Sequence, residues 1–445
     1  MRIRRITAIT AAKITAKFCR MVGKQGETLA GKVAMMIDPG ILTFLAGNVR
    51  EKIFVVCGTN GKTTTNNLLC SVLEAQGRKV VCNHAGANML NGCVSTFVLN
   101  AKLNGELDAD YACIEVDEAS TLHIFPYFQP DYMILTNLFR DQLDRYGEID
   151  ITMNLLKKAM EMAPKMKIIV NADDALSAFL ATESGNPYVT YGIRDRVFEK
   201  TPVNEIREGR FCKRCGAKME YRFYHFSQLG DYHCSSCGFQ RPEITYNASE
   251  ISTKKGLSFR VEENQVRADY RGFYNVYNIL AVYAAVREAG LPVENFNELL
   301  AGFNPENGRN EQFQIRDTKV ILNLAKNPAG FNQNIAAVME DESLKDLIIL
   351  INDNAQDGID VSWLWDVDFE RLAEDGINSI TVCGKRCLDM RLRLKYADIS
   401  SAAEPDVEKA IRERIDHGCK NLYVLVNYTG LYASHNILKR MEEQG

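Results

Sequence analysis

The stretch with the most chemical capacity in this chain is "GTNGKTTT", residues 58–65, set between the apolar run "IFVV" (53–56) and a helix-like segment. Gly58 and Gly61 let the backbone turn closely, so that the N–H groups of a loop running from Gly58 through Thr59 and Asn60 to Thr64 can face a phosphate. Lys62 can reach the outer phosphates and Thr63 can hold magnesium. The following helix, with Leu68, Leu69, Val72 and Leu73 on one face, aims its positive end at the same anion. The loop lacks the first glycine of the longest form of this motif, because Val56 stands there. With a strand before it and a helix after it, it reads as a nucleotide-phosphate cradle. Glu115, ending a third apolar run, is a candidate magnesium ligand, since a hard cation takes oxygen donors. The plain alternative for Glu115 is an exposed carboxylate at a strand end.

A second constellation is built from sulfur. Of thirteen cysteines, Cys212, Cys215, Cys234 and Cys237 form the pairs "CKRC" and "CSSC", eighteen residues apart, each followed by a glycine. Two such knuckles give four thiolates and no open position, which suits a structural tetrahedral zinc and not a redox pair. The segment from about 200 to 245 is then a small insert stapled by metal, too short to fold on its own core. The remaining cysteines, such as Cys57, Cys113 and Cys383, lie in or beside apolar runs and read as small core residues.

Elements must position these groups. The apolar runs "IFVV", "KVVC" (79–82), "YACIEV" (111–116), "YMILT" (132–136) and "KIIV" (167–170) alternate with helix-length segments, the pattern of a mostly parallel sheet covered on both faces. Polar residues follow their carboxyl ends: the Gly58–Thr63 loop, Asn83 with His84, Glu115 with Asp117 and Glu118, Thr136 with Asn137, and "NADD" (171–174). Ligands of open parallel sheets bind there, so these residues are expected to converge on one edge. Beyond about residue 312, "KVILNL" (319–324), "LIILIN" (347–352), "SITVCG" (379–384) and "LYVLVN" (422–427) repeat the pattern as a second Rossmann-like α/β domain.

With 445 residues the chain is expected to hold two or three units. Its 53 basic against 57 acidic residues argue against a general nucleic-acid binder. No stretch approaches the roughly 18 uninterrupted apolar residues of a spanning helix. The basic N-terminus, "MRIRRITAITAAKITAKFCRMVGK", is interrupted by Lys13 and Lys17, which argues against a secretion signal and for a cytoplasmic protein. Two readings of it stay open: an amphipathic helix packed on the body, or a foot on the anionic face of the cytoplasmic membrane.

"GTNGKTTT", together with "TNLFRDQLDRYG" (136–147), "NADD", "YNVYN" (274–278) and "GRNE" (308–311), resembles the central domain of the Mur ligases, ATP-dependent amide-forming enzymes of peptidoglycan synthesis. The inserted four-cysteine ribbon and "NDNAQDGIDVSWLWDVDFE" (352–370) narrow the resemblance to the MurT-type subunits of lipid II isoglutaminyl synthases. The likeness implies a basic N-terminal segment (1–45), a central ATP-binding domain (46–311) carrying the ribbon, and a C-terminal α/β domain (312–445). It implies ATP, Mg2+ and Zn2+ as cofactors. It also implies amidation of the α-carboxylate of D-glutamate in the lipid II stem peptide to D-isoglutamine, through an acyl phosphate. The ammonia would come from a separate glutaminase subunit of the GatD type. By the same likeness Lys62 and Thr63 handle phosphates and magnesium, Glu115 is a metal ligand, Asn275 and Asn278 lie near the adenine, and Arg309 approaches the phosphates. Lys326, in "KNPAG" (326–330), stands where other Mur ligases place a catalytic basic residue.

Three aspartates, Asp353, Asp357 and Asp360, fall within eight residues of the 352–370 segment. A turn rich in Asp, Asn and Gly is the backbone reading. The resemblance implies instead that one of them orients the histidine of the partner's Cys-His pair, with Asp360 favoured and Asp357 next. No nucleophile with a paired histidine stands out among the six histidines, so the ammonia source is expected elsewhere. There are departures from the wider family. Gln142 stands where the wider family has a histidine metal ligand of a second magnesium site, and the place of a carbamylated lysine falls to Lys157 or Lys158, which read more simply as a solvated helix face. The competing functions are a stand-alone ligase adding an amino acid, as in folate polyglutamate synthesis, and a nucleotide-regulated protein whose ribbon contacts nucleic acid. Glutamine dependence with a partner separates the first, and salt-dependent nucleic-acid binding the second.

Overall fold

The computed structural model describes residues 2–21, 27–84, 86–141, 149–198, 208–253, 256–268, 272–301, 303 and 309–444. Gln142 lies outside them, as does the side chain of Arg309.

The first sheet contains β1 (Lys52–Cys57), β2 (Val80–Cys82), β3 (Tyr111–Glu115), β4 (Tyr132–Leu135), β5 (Lys167–Asn171) and β6 (Tyr188–Gly192). In space the order is β2-β3-β1-β4-β5-β6, all parallel. β1 alternates its side chains between two cores. Phe54 and Val56 pack with the helix Lys62–Ala75 on one face, and Ile53, Val55 and Cys57 with the helix Leu90–Asn100 on the other. Both faces are therefore covered, as continuous apolar runs require. The register places Val56 beside both Glu115 and Ile134, so the loops leaving β1, β3 and β4 start at one level. β1 leads outward to β2 on one side, and the chain later crosses to β4 on the other. This reversal opens a crevice at the carboxyl ends of the strands.

Two features of this sheet do not follow from the apolar runs. The hairpin β7 (Glu220–Phe226) and β8 (Leu229–His233) forms the ribbon. Past it, β9 (Tyr246–Ser252) joins β6 in parallel, and β10 (Leu257–Val261) and β11 (Asn264–Ala268) continue the sheet in antiparallel pairing. The helix Tyr274–Glu288 is buried at every position from Asn275 to Val286, which explains its apolar character on all sides.

The second sheet joins β12 (Arg309–Ile315), β13 (Thr318–Leu324), β14 (Lys345–Leu350), β15 (Ile377–Cys383), β16 (Ala402–Ala403) and β17 (Asn421–Val426) in the order β12-β13-β17-β14-β15-β16. It is parallel apart from β12, which forms a hairpin with β13. The apolar runs of the C-terminal third supply its four longer parallel strands. "GRNE" opens the antiparallel edge strand, which its polar composition conceals.

The N-terminal segment forms the helix Arg2–Met21, with Ala8, Ile9, Ala12, Ala16 and Cys19 buried. It packs on the helices Glu27–Ile37 and Leu90–Asn100. Its other side leaves Ile3, Ile14, Phe18 and Met21 exposed among Arg2, Lys17 and Arg20. No described helix is long and apolar enough to cross a membrane.

Candidate active site

The loop after β1 is held from below by β4. Thr59 N–H donates to the Asn137 carbonyl at 2.8 Å and Asn60 N–H to Asn137 Oδ1 at 2.9 Å, while Thr136 Oγ1 donates to the Asn60 carbonyl at 2.8 Å. Gly61 adopts φ +85°, and a Cβ there would lie 2.4 Å from Asn278 Oδ1. Glycine is thus required both by backbone sterics and by close approach. A Gly61→Ala variant is expected to lose about 1–2 kcal/mol from backbone conformation alone and to displace Asn278. The check is the thermal midpoint with and without ATP. An unchanged midpoint and an unchanged ATP-induced rise would remove the loop from this account.

Lys62 opens the helix and is buried. Its Nζ donates to Glu118 Oε1 at 3.0 Å and to the Gly58 carbonyl at 2.5 Å. Burial disfavours its charge, but Glu118, Glu115 and Asp117 outweigh that and raise its pKa, so it stays an ammonium. The Glu118 carboxyl is also raised, because burial outweighs the attraction of Lys62. Thr63 Oγ1 donates to Glu115 Oε2 at 2.6 Å, and Asn88 Nδ2 to Glu115 Oε1 at 2.9 Å. Glu115 is buried, so the reading of it as an exposed strand-end carboxylate does not hold. A Thr hydroxyl beside a carboxylate at the start of a helix is an all-oxygen donor set that fits magnesium.

Asn275 and Asn278 lie one turn apart on the buried helix. Asn278 Nδ2 donates to Asn275 Oδ1 at 2.9 Å, and Asn278 Oδ1 accepts from Thr65 Oγ1 at 3.3 Å, so the pair braces the start of the phosphate-loop helix. The second sheet supplies the opposite wall. Lys326 Nζ pairs with Asp141 Oδ2 at 2.5 Å, and Asn327 exchanges amide hydrogen bonds with Asn60 at 3.0 and 3.3 Å. Asp141 Oδ1 is buried and has no hydrogen-bond partner among the described residues. One cleft of about 650 Å³ joins the phosphate loop, Glu115, Asn275, Asn278 and Lys326, and extends to Gln356 and Tyr428.

Other candidates lie apart. In "NADD", Asp173 and Asp174 are buried anchors: Asp174 caps the helix Ala175–Glu183, while Asp173 accepts from Tyr277 Oη and pairs with Arg241. Lys157 and Lys158 are exposed and do not line the cleft. Asp357 is buried, accepting from Thr429 N–H at 2.8 Å, and Asp353 pairs with Arg386. Asp360 is exposed. Its carboxylate accepts from the N–H and hydroxyl of Ser362, and these bonds hold its pKa below the usual carboxylate range.

The cysteine pairs come together. Sulfur separations are 3.6 Å for Cys212–Cys237 and 3.5 Å for Cys215–Cys234, near the roughly 3.8 Å edge of a tetrahedron with Zn–S of about 2.3 Å. Each knuckle closes through a glycine with positive φ, Gly216 N–H donating to the Cys212 carbonyl and Gly238 N–H to that of Cys234. The Ala217 N–H pulls the Cys215 thiol down to about 7. This donor set fits zinc.

Several contacts were not visible in the sequence: the Lys62–Glu118 pair, the hold of Asn88 on Glu115, and the Asn60–Asn327 link across 267 positions. Cys70 Sγ lies 3.9 Å from His84 Nε2, a pairing that no local motif announces.

The Mur ligase middle domain family matches residues 56–286, and the MurT ligase C-terminal family matches 324–431. The lipid II isoglutaminyl synthase (glutamine-hydrolyzing) subunit MurT of Staphylococcus aureus (strain COL) is 36% identical over 100% of both chains. The chain belongs to the MurT family. The subunit of the same name from Streptococcus pneumoniae (strain ATCC BAA-255 / R6) is 34% identical, over 93% of this chain and 92% of that protein. Solved Mur ligase structures share the fold. A pseudomurein peptide ligase type C from Methanothermus fervidus aligns with TM-score 0.68 at 22% identity, covering 88% of this chain and 79% of that one. MurF from Acinetobacter baumannii aligns at 0.66 and 16% identity, covering 94% and 80%. In this MurT-family chain the α/β architecture with two largely parallel sheets and an inserted cysteine cluster is therefore the Mur ligase fold.

Proposed function

We propose that this chain is a synthetase subunit that uses ATP to amidate the α-carboxylate of D-glutamate in the lipid II stem peptide. The observation that carries the proposal is the single cleft in which the phosphate loop and Glu115 of one sheet face Lys326 of the other. A carboxylate resists ammonia because its leaving group would be oxide, and phosphorylation turns that group into phosphate. Lys62 and the loop N–H groups would hold the transferred phosphoryl group, with Thr63 and Glu115 as ligands for Mg2+, which supplies charge neutralisation at the phosphates. Asn275 and Asn278 keep the loop in place on the nucleotide side. Lys326 would hold the substrate carboxylate from the opposite wall, its ammonium exchanging Asp141 for the acid. The domain limits 46–311 and 312–445 belong to the same proposal, with the reacting groups meeting between the units.

The ammonia would come from a separate glutaminase of the GatD type. The approach of Cys70 to His84 offers no activated thiol, because Cys82 and burial raise the pKa of Cys70. A docking surface is also at hand. Leu388, Leu392 and Tyr396, four residues apart on one helix face, are 68, 49 and 70% exposed, and the half-exposed Trp365 ring lies 5.3 Å from Tyr396. Trp365 ties this patch to Asp360, which lies five residues before it. The double variant Trp365→Ala, Tyr396→Ala is expected to weaken the complex about 30-fold or more, as loss of aromatic anchors does. Isothermal titration with the glutaminase subunit measures it, and an unchanged affinity would exclude this surface.

We assign zinc to the ribbon, where Cys212, Cys215, Cys234 and Cys237 would hold it as a structural ion. Chelation is expected to unfold the ribbon and make it a site of rapid proteolysis. Continued resistance of a metal-free chain would contradict this assignment.

The reaction itself is tested by labelling the substrate carboxylate with 18O. Transfer of label to inorganic phosphate in step with amide formation supports the acyl phosphate route, and amide formation with unlabelled phosphate rules it out.

A further inference from the structure

One cluster outside the cleft has ligand chemistry that the proposed reaction leaves unused. Cys70, in the helix Lys62–Ala75, Cys82, ending β2, and His84, two residues further on, bring two sulfurs and an imidazole nitrogen within 4.8 Å of one another. The 3.9 Å between Cys70 Sγ and His84 Nε2 is close to the roughly 3.6 Å that separates a sulfur and a nitrogen ligand on one tetrahedral zinc. Asn66 Nδ2 donates to Cys82 Sγ at 3.2 Å, an outer contact that fixes the position of this sulfur. Two buried cysteines alone would be ordinary core residues. What distinguishes this pair is an exposed histidine whose ring turns back onto them.

We propose that Cys70, Cys82 and His84 form a second metal site, separate from the ribbon, for a thiophilic d10 cation such as Zn2+. The two thiols release their protons to solvent and the ion takes a lone pair from each sulfur and from the imidazole, leaving a fourth position for water. The location gives the ion a consequence. Asn66 also donates to Asn83 Oδ1 at 3.2 Å, and the Asn83 side chain bonds both the N–H and the carbonyl of Glu115 at 2.8 Å. An ion held by Cys82 and His84 therefore clamps Asn83 from both sides and stiffens the segment that supports Glu115.

The test is titration of the full chain, its ribbon already loaded, with Zn2+ alone against a chromophoric chelator. The wild type is expected to take up one further equivalent, and Cys70→Ser and His84→Ala none. His84→Ala removes an exposed side chain and so keeps the result interpretable where Cys70→Ser fails to fold. Titration of the same ribbon-loaded chain with Co2+ gives a second readout: sulfur-to-cobalt charge-transfer absorption should grow over one equivalent in the wild type and be absent in His84→Ala. No further equivalent in the wild type, or its persistence in His84→Ala, would overturn the proposal.

Discussion

Lys62→Ala is expected to lower ATP-dependent amide formation by about 10³-fold or more, the scale on which removal of one preorganised charge at a transferring group acts. The ammonium sits at the start of the helix Lys62–Ala75, anchored to the Gly58 carbonyl and Glu118 and kept charged by three carboxylates. Its removal has a second effect. Glu118 is buried, and losing the partner of a buried ion pair costs about 3–5 kcal/mol. A loss of activity could then reflect unfolding. The double variant Lys62→Ala, Glu118→Gln separates the two, since it leaves no unpaired carboxylate: stability should return and activity should not. Thermal midpoints and ATP turnover, measured on all three proteins, make the comparison. Recovery of turnover in the double variant would show that Lys62 serves the fold and not the phosphates.

The second large effect concerns glutamine. Asp360→Asn is expected to reduce glutamine hydrolysis by the assembled complex about 10³-fold or more, as when the third member of a triad is neutralised. Amidation driven by added ammonium should be unchanged. The geometry favours Asp360 over its neighbours: Asp353 is committed to Arg386 and Asp357 is buried against Thr429, whereas Asp360 is presented to solvent by a turn closed on Ser362. Because the Ser362 bonds hold its pKa below the usual carboxylate range, Asp360 is ionised at neutral pH, and a loss of glutaminase activity between pH 7 and 6 is expected from another group. Asp357→Asn should behave differently, loosening the loop and lowering stability through the weakened Thr429 contact. Equal glutamine hydrolysis in wild type and Asp360→Asn would end the assignment.

The parallel sheets were legible because strands buried on both faces must be apolar throughout, and the polar residues after them mark the carboxyl edge. The phosphate loop was legible because its glycines, lysine and threonine are contiguous. The outer strands β9 to β11 and the edge strand β12 were not, since half-exposed strands carry many polar residues and leave no apolar run. Contacts that join distant positions were equally hidden. Nothing near Asn60 points to Asn327, and Glu118 shows its role only once the chain turns it back beneath Lys62. The buried aspartates of "NADD" illustrate the converse: a polar cluster at a strand end served a helix cap and an internal ion pair. His84 likewise follows a strand end, yet its ring faces two sulfurs of the sheet and helix.

The most direct test of the account is the mass of the lipid II stem peptide after incubation with the chain, a GatD-type glutaminase, ATP and glutamine. The account predicts the small decrease that comes from exchanging a hydroxyl for an amide, with stoichiometric phosphate release, and no change with Lys62→Ala. Addition of a whole amino acid to the peptide, or amidation that proceeds without ATP, would contradict it.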